Sequence, residues 1–406
     1  MKQKFKFDPE NGVIVTDNFS RFYAQLNDYI LNRQTWQPSR DGEVKELLNF
    51  KTTLTNPYQR LQGVARRNMN VFFSLAEAMW IFTGRKDVNF LLPFNSHMIN
   101  FSDDGKTQHA PYGWRIRHWG VRTEDKFVEE NMHAAQGYDQ LEDAIRILQE
   151  NPNSRQVVIS IWNPEFDLGC KTRDIPCNDM LMFKIRNGEL ITTVQNRSND
   201  LHWGLPTNIF QFSFLTELIA TCLGITLGTQ THNSQSLHIY KWNKTAEEMD
   251  EYYNSWSDTV NDDRPLPTLY DGIGSVKPFR FNFAHEVAVN RLRELDTVLF
   301  RLMDNVWAAC NGKPESVEEV EQIKDFSTEL YKIYQLLKTY VLYKHDIADK
   351  TQDADKARLK ALERIELIAE GGYETWDVIQ MARNFFVRRL KDKSGYKVKG
   401  SYIGEL

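Results

Sequence analysis

The stretch MLMFKIRNGELITTVQN, residues 180–196, decides how the chain is read. Asn187-Gly188 is its strongest hairpin signal, because a two-residue turn with positive φ at both positions suits Asn-Gly and few other pairs. The runs on either side, residues 180–186 and 190–196, read as its two strands. A hairpin here sets Cys177 on the loop entering the first strand and Arg197 where the second strand ends. Working outward, residues 155–162 (RQVVISIW) are rich in β-branched side chains and read as a buried strand. Residues 208–223 read as an amphipathic to buried helix stopped by Gly224. Further upstream, residues 74–83 (SLAEAMWIFT) form a helix closed by Gly84, with Ser74 and Glu77 at the spacing of a capping box. A polar, glycine-containing loop region, residues 95–113, follows it. This part of the chain is mixed α and β.

After about residue 284 the pattern changes. Leu292, Leu295, Leu299, Leu302 and Val306 alternate spacings of three and four, and Val320, Ile323, Leu330, Ile333 and Leu337 continue the seam in a second segment. Residues 357–369 and 375–390 give a third and a fourth segment, split by Gly371-Gly372. The expected organisation is an α+β unit over residues 1–283 and a hairpin-packed helical extension of three or four elements over residues 284–406.

Composition narrows the function. The 406 residues are 41% hydrophobic and 12% aromatic, enough for a sizeable core and unlike a disordered chain. A net charge of −5 without a long basic run argues against polynucleotide as the main substrate and leaves a local phosphate pocket open. No apolar run suggests a membrane span, and the first residues, MKQKFKFDPENG, lack the apolar core of a secretory signal. The four cysteines, Cys170, Cys177, Cys222 and Cys310, match neither a metal pair nor a disulfide framework. The expectation is a cytoplasmic protein with reduced thiols and no metal. A lone cysteine is most often a small buried hydrophobe. Cys177 differs in its setting, since a guanidinium across the hairpin favours the reactive thiolate.

The run Arg197-Ser-Asn-Asp-Leu-His-Trp-Gly-Leu-Pro-Thr-Asn208-Ile follows Pro176-Cys177, with Arg197 20 residues beyond the cysteine. In order along the chain stand Glu77-Ala-Met-Trp80, Tyr112-Gly113, Ser154-Arg155, Ile161-Trp162-Asn163, His238-Ile239-Tyr240 and Arg264-Pro-Leu-Pro267. Together these resemble the thymidylate synthases over roughly residues 20–283. The resemblance implies that family's mixed sheet with surrounding helices, a pyrimidine nucleotide substrate such as dUMP, and 5,10-methylenetetrahydrofolate as cosubstrate. It implies that Cys177 adds to C6 of the base, that Glu77 organises a proton-moving water network, and that Tyr112 assists loss of the C5 proton. Asn208 would pair with O4 and N3–H, an amide pattern matched to uracil. Arg197, Ser198 and Arg40 would hold the phosphate. Arg155 would reach into the partner's site, making a homodimer. His238 and Tyr240 would bind the sugar hydroxyl, and Asp200, Trp80 and Gly204 the folate.

Taken singly, each residue has a plainer reading: Glu77 a helix cap, Tyr112 a core aromatic, Asn208 an N-cap, His238 a packed core histidine, and the arginines solvated. The sequence also departs from the synthases. Asn178 follows the nucleophile where they have histidine, and Gln156 replaces the second of two arginines. Ile99-Asn100-Phe101 offers no tryptophan over the reacting carbon, and the chain ends in Gly-Glu-Leu after its helical extension. Excluding water is a property of the packing over a site. These departures favour water capture, and so a dUMP hydroxymethylase resembling bacteriophage DNA-modification enzymes, acting in the host cytoplasm. The alternatives are a thymidylate synthase, then a dCMP hydroxymethylase, then a non-catalytic nucleotide-binding paralogue.

Overall fold

The computed structural model describes residues 5–64, 67, 69–121, 137–255, 277–281, 291–349, 353–374 and 376–390. The chain opens with β1 (Lys6–Asp8), β2 (Val13–Thr16), α1 (Ser20–Arg33), β3 (Gln37–Ser39), the long β4 (Gly42–Leu54) and α2 (Val71–Phe82). Next come α3 (Tyr112–Arg117), α4 (Gln140–Glu150), β5 (Val158–Ser160) and the single turn α5 (Pro164–Asp167). The hairpin is β6 (Asn178–Arg186) and β7 (Glu189–Asn196), followed by β8 (Asn199–Asp200), α6 (Gly204–Leu223), β9 (Thr226–Tyr240) and α7 (Thr245–Asn254). The helical remainder holds α8 (Arg291–Cys310), α9 (Val317–Phe326), α10 (Thr328–Ala348), α11 (Ala354–Ala369) and α12 (Asp377–Val387).

The strands form one mixed sheet in the order β1-β2-β4-β9-β7-β6-β5, with β3 on β4 and β8 on β9. Two of its pairings along the main path, β2 with β4 and β7 with β9, are parallel. The hairpin forms as read: Asn187 and Gly188 sit at φ 55° and 75°, and Arg186 faces Glu189 across the turn. Period-two alternation then divides the sheet. Leu181, Phe183, Leu190 and Val194 are buried on one face, beneath α6, whose side chains are buried around nearly its whole circumference. Met180, Met182, Ile191, Thr193, Gln195, Thr231 and Asn233 line the other face and stay half-exposed.

Four local expectations are corrected. The helix α2 starts at Val71, capped by Asn70, whose side chain accepts from Phe73 N–H; Ser74 lies inside the helix and donates to Asn70 O, so Ser74 and Glu77 form no capping box. The helix read over 208–223 begins at Gly204, so Asn208 is a helix-interior residue and no N-cap. Strand β5 is only three residues long, and Val158 is 48% exposed because an edge strand buries one face alone. The second helical segment is two helices, since Ser327 at φ −157°, ψ 121° breaks the run and caps α10 by accepting from Leu330 N–H. Arg264–Pro267, the 283/284 boundary and the terminal Gly-Glu-Leu lie outside the described residues.

The extension does not stand apart. Phe72 of α2 stacks on Tyr340 of α10 at 4.7 Å and meets Phe385 and Phe386 of α12 edge-on or tilted at 5.5 and 5.6 Å. The helix carrying Glu77 thus packs between α6 and the C-terminal helices in one apolar cluster.

Candidate active site

Because Asn178 pairs with Asn196, the residues just outside the hairpin, Cys177 and Arg197, lie side by side. Arg197 N–H donates to the Cys177 carbonyl at 3.0 Å. The guanidinium folds back along the nucleophile loop: Nε donates to Pro176 O at 2.8 Å and Nη2 to Ile175 O at 3.0 Å, with Nη2 3.9 Å from Cys177 Sγ. Arg197 is therefore a clamp on the loop as well as a positive neighbour of sulfur. Burial pushes the Cys177 thiol up; Arg197 and, less strongly, Arg40 pull it down, while Asp174 and Asp179 add to the rise. The expected pull of Arg197 is present, but desolvation outweighs it. Asp174 and Asp179 are themselves pushed up to about 6 by burial.

Three further groups converge here. Tyr112, at the start of α3, has its hydroxyl beside the Asn178 amide and the Cys177 backbone, and burial holds it protonated. Its placement depends on Gly113, where a Cβ would stand 2.1 Å from Ile81 O, so only glycine lets α3 lie against α2. Glu77 projects from α2 to Gln211 of α6, which donates to its carboxylate; burial pushes Glu77 up to about 8. Asn178 Nδ2 donates to Asn208 Oδ1 at 3.2 Å, and Asn208 Nδ2 donates to Asn199 Oδ1 at 3.1 Å.

The short strand β8 sets Asp200 opposite His238 of β9. Asp200 Oδ1 accepts from His202 N–H at 2.9 Å and from Trp203 N–H, while its buried Oδ2 has no partner among the described residues. Burial raises the Asp200 pKa and lowers that of His238, each drawing the other back toward its charged form. His238 lies edge-on to Tyr240 at 4.9 Å, and Tyr240 is pushed up to about 12 by burial and by Asp200. Tyr240 stacks on Trp242, which meets Trp203 at 5.3 Å; both tryptophans are about half exposed. Arg40 occupies the tip between β3 and β4, paired with Asp41 at 3.0 Å, and Asp41 O accepts from Trp242 Nε1.

Not every expected residue joins this group. Arg155 and Gln156 are exposed on the segment leading into β5. Trp80 is 2% exposed and its indole N–H donates to Asp87 O at 2.9 Å, so it packs α2 and offers no surface to a ligand. Ser198 is half-buried just beyond Arg197, and Gly204 opens α6. Sequence reasoning missed Gln211, although it lies on the same helix as Asn208, three positions on. It also missed the bracket behind the nucleophile loop: Asp167 accepts from Arg115 and pairs with His109, each at 3.0 Å, and Asp174 accepts from Ala110 N–H at 2.8 Å. No local pattern announces contacts so distant in sequence. The described residues hold no group of His, Cys, Asp and Glu fit for a metal ion, and no described helix is long and apolar enough to cross a membrane.

A thiol flanked by a guanidinium, a phenol and a string of amides defines a nucleophile site suited to an anionic ligand with an amide-like ring edge. The chain belongs to the thymidylate synthase family, whose model matches residues 21–341. It is 39% identical over 223 residues to the deoxyuridylate hydroxymethyltransferase of Bacillus phage SP01, covering 54% of this chain and 57% of that protein. It is 37% identical over 206 residues to the Pseudomonas phage M6 protein of the same name, covering 50% and 54%. A thymidylate synthase of Bos taurus is 34% identical over 143 residues, covering 35% and 39%. The chain thus spans little more than half the length of the two phage relatives.

Proposed function

We propose that the protein is a folate-dependent deoxyuridylate C5 hydroxymethyltransferase, converting dUMP, the methylene group of 5,10-methylenetetrahydrofolate and water to 5-hydroxymethyl-dUMP and tetrahydrofolate. The observation that carries the reading is the likeness to phage proteins named for that activity, which extends over longer matches than the likeness to the synthase. The geometry supports the chemistry. Cys177 Sγ forms the bond to C6 as the C5=C6 electron pair moves to C5, which takes up the one-carbon unit; water then adds to that carbon while the Sγ–C6 bond breaks, restoring the C5=C6 double bond and the free thiolate. Tyr112 assists removal of the C5 proton, and Glu77, protonated at neutral pH, serves proton exchange near O4. Arg197, Ser198 and Arg40 hold the phosphate, His238 and Tyr240 the sugar hydroxyl, and Asn208 the base edge. The folate supplies a one-carbon unit at the oxidation level of formaldehyde. The buried, unpartnered Asp200 Oδ2 and the exposed Trp203 would serve its polar and aromatic parts, with Gly204 beside them at the start of α6.

A homodimer formed through the half-exposed sheet face, with Arg155 reaching the partner's phosphate site, belongs to the same proposal, as does action in the host cytoplasm. The test is to incubate the protein with methylenetetrahydrofolate and, separately, dUMP, dCMP and UMP. Dihydrofolate is followed by absorbance and the nucleotide is weighed by mass spectrometry. A hydroxymethyl product from dUMP without dihydrofolate is expected. A methyl product with dihydrofolate would make the protein a synthase instead. Cys177→Ala should abolish turnover and the covalent adduct while leaving nucleotide binding largely intact; continued turnover would refute the role of the thiol.

A further inference from the structure

Asp174 is a carboxylate of the site with no part in forming the cysteine adduct. It stands three residues before Cys177, and hydrogen bonds fix it there from both sides. Thr172 Oγ1 and Arg173 N–H both donate to Asp103, and Asp174 N–H donates to Thr172 Oγ1 at 3.1 Å. Beyond it, Arg197 holds Pro176 O and Ile175 O. The side chain is held by Ala110 N–H, which donates to Oδ2 at 2.8 Å. Ala110 is two residues before Tyr112, so Asp174 bridges the segment that carries the phenol and the segment that carries the thiol. Its charge acts on both groups, raising the Cys177 thiol and the Tyr112 hydroxyl. Asp174 is half-buried, and its Oδ1 takes no hydrogen bond from the described residues.

We propose that Asp174 is a further catalytic residue of the hydroxymethyl transfer: the general base that takes a proton from the water adding to the one-carbon unit. This rests on the hydroxymethyltransferase reading. In that reading Sγ is bonded to C6 and Tyr112 serves C5, so a group beside both lies beside the carbon that C5 carries. With the folate gone, that carbon is an exocyclic methylene doubly bonded to C5. The water oxygen bonds to it while a proton passes from the water to Asp174 Oδ1. The methylene pair shifts to restore C5=C6, and the C6–Sγ pair returns to sulfur. The freed thiolate takes the proton up in turn, and nothing is oxidised or reduced.

The other acids of the site are less suited. Tyr112 is held protonated, and Glu77, pushed up to about 8, also carries its proton at neutral pH. Asp200 has one oxygen taken by backbone N–H groups and lies across from His238. Asp179 is drawn down by Arg197, and it acts on Cys177 without acting on Tyr112. Burial brings Asp174 up to about 6, with His109 and Arg115 pulling it back and Asp103 adding to the rise. It is thus largely ionised at neutral pH, yet a stronger base than an ordinary carboxylate.

The test separates loss of the C5 proton from addition of water. Single turnovers are run with protein in excess over C5-deuterated dUMP and methylenetetrahydrofolate. The quenched mixture is weighed for free nucleotide, for deuterium and for nucleotide bound to the protein. In the native protein, deuterium loss and hydroxymethyl formation should run together. Asp174→Asn keeps an oxygen for Ala110 N–H and loses the base. It should lose deuterium at a near-native rate but form the hydroxymethyl product about a hundredfold more slowly, at the lower end of what a general base supplies. Protein carrying the nucleotide and its extra carbon should accumulate. Asp174→Ser, smaller and also without a carboxylate, decides the matter if Asp174→Asn does not fold. Asp179→Asn removes the other carboxylate that acts on Cys177 and should keep the two events together. A native rate of hydroxymethyl formation in the Asp174 variants would overturn the proposal. So would deuterium loss slowed as much as product formation, or the same separation of events in Asp179→Asn. If the native protein gives a methyl product or none, the proposed function falls and this inference with it. If it gives the hydroxymethyl product and the Asp174 variants match it, only the base falls.

Discussion

Burial pushes the Glu77 carboxyl up to about 8 from an ordinary 4.5, and the bond from Gln211 only partly offsets it. The consequence for stability has a definite sign. Below the ordinary value Glu77 is protonated whether the chain is folded or not. As pH rises from about 4.5 to about 8, the unfolded chain releases this proton while the folded one keeps it, so folding stability falls across that window. Glu77→Gln keeps the shape and removes the titration. Urea midpoints measured from about pH 5 to about pH 8 should decline more steeply for the native protein than for Glu77→Gln; parallel curves would show that Glu77 is already ionised in the folded state. The same burial acts on Cys177, so the unliganded thiol is held back and Arg197 is the group that most lowers the cost of ionising it. Removing Arg197 would also release the loop carbonyls it holds, which ties nucleophile position and nucleophile charge to one side chain.

At the scale of elements, α3 reaches the site only because it lies directly on α2. Gly113→Ala would set a Cβ 2.1 Å from Ile81 O and 2.6 Å from Ile81 Cα, both backbone atoms that cannot rotate away. The expected cost is about 3 kcal/mol or more. The displacement of Tyr112 should lower turnover even where the variant remains folded, and an unchanged urea midpoint would rule out the close approach. The hairpin was legible because its determinants are local: Asn187-Gly188 dictates the turn, and the turn dictates the register that joins Cys177 to Arg197. The cap of α2 was not, since Ser74 and Glu77 imitate a capping box while Asn70 wins by having its oxygen in reach of Phe73 N–H. Ser327 was equally hidden, because the apolar seam runs through it without a break. Of the motif residues, Cys177, Arg197, Tyr112 and Asn208 are brought together in the structure, whereas Trp80 is buried in the packing of α2 and Arg155 is exposed apart from them. The contacts of Gln211 with Glu77 and of Asn178 with Asn208 were hidden, because each joins separate elements and leaves no periodic trace.

The whole molecule is stitched across the expected boundary. Arg117 of α3 holds Asp296 of α8 with two bonds of 2.9 and 2.7 Å and also bonds Asp139. The segment 277–281 lies between the halves: Phe279 N–H donates to Asp377 of α12 and Phe281 N–H to Glu217 of α6, which is itself paired with buried Arg60. Tyr340 adds an aromatic contact to Phe72, Phe94 and Phe385 at 4.7 to 5.7 Å. With this much shared core, the C-terminal helices act as a buttress for α2, and through α2 for Glu77. Tyr340→Ala should therefore cost about 3–5 kcal/mol. The loss should appear in a single transition, with far-UV circular dichroism, tryptophan fluorescence and nucleotide binding all failing together. If the helical signal melted first while nucleotide binding survived, residues 284–406 would be a separable unit and the buttress would be wrong. Coincident transitions would instead mean that the helix carrying Glu77 is held in place by the C-terminal helices packed against it.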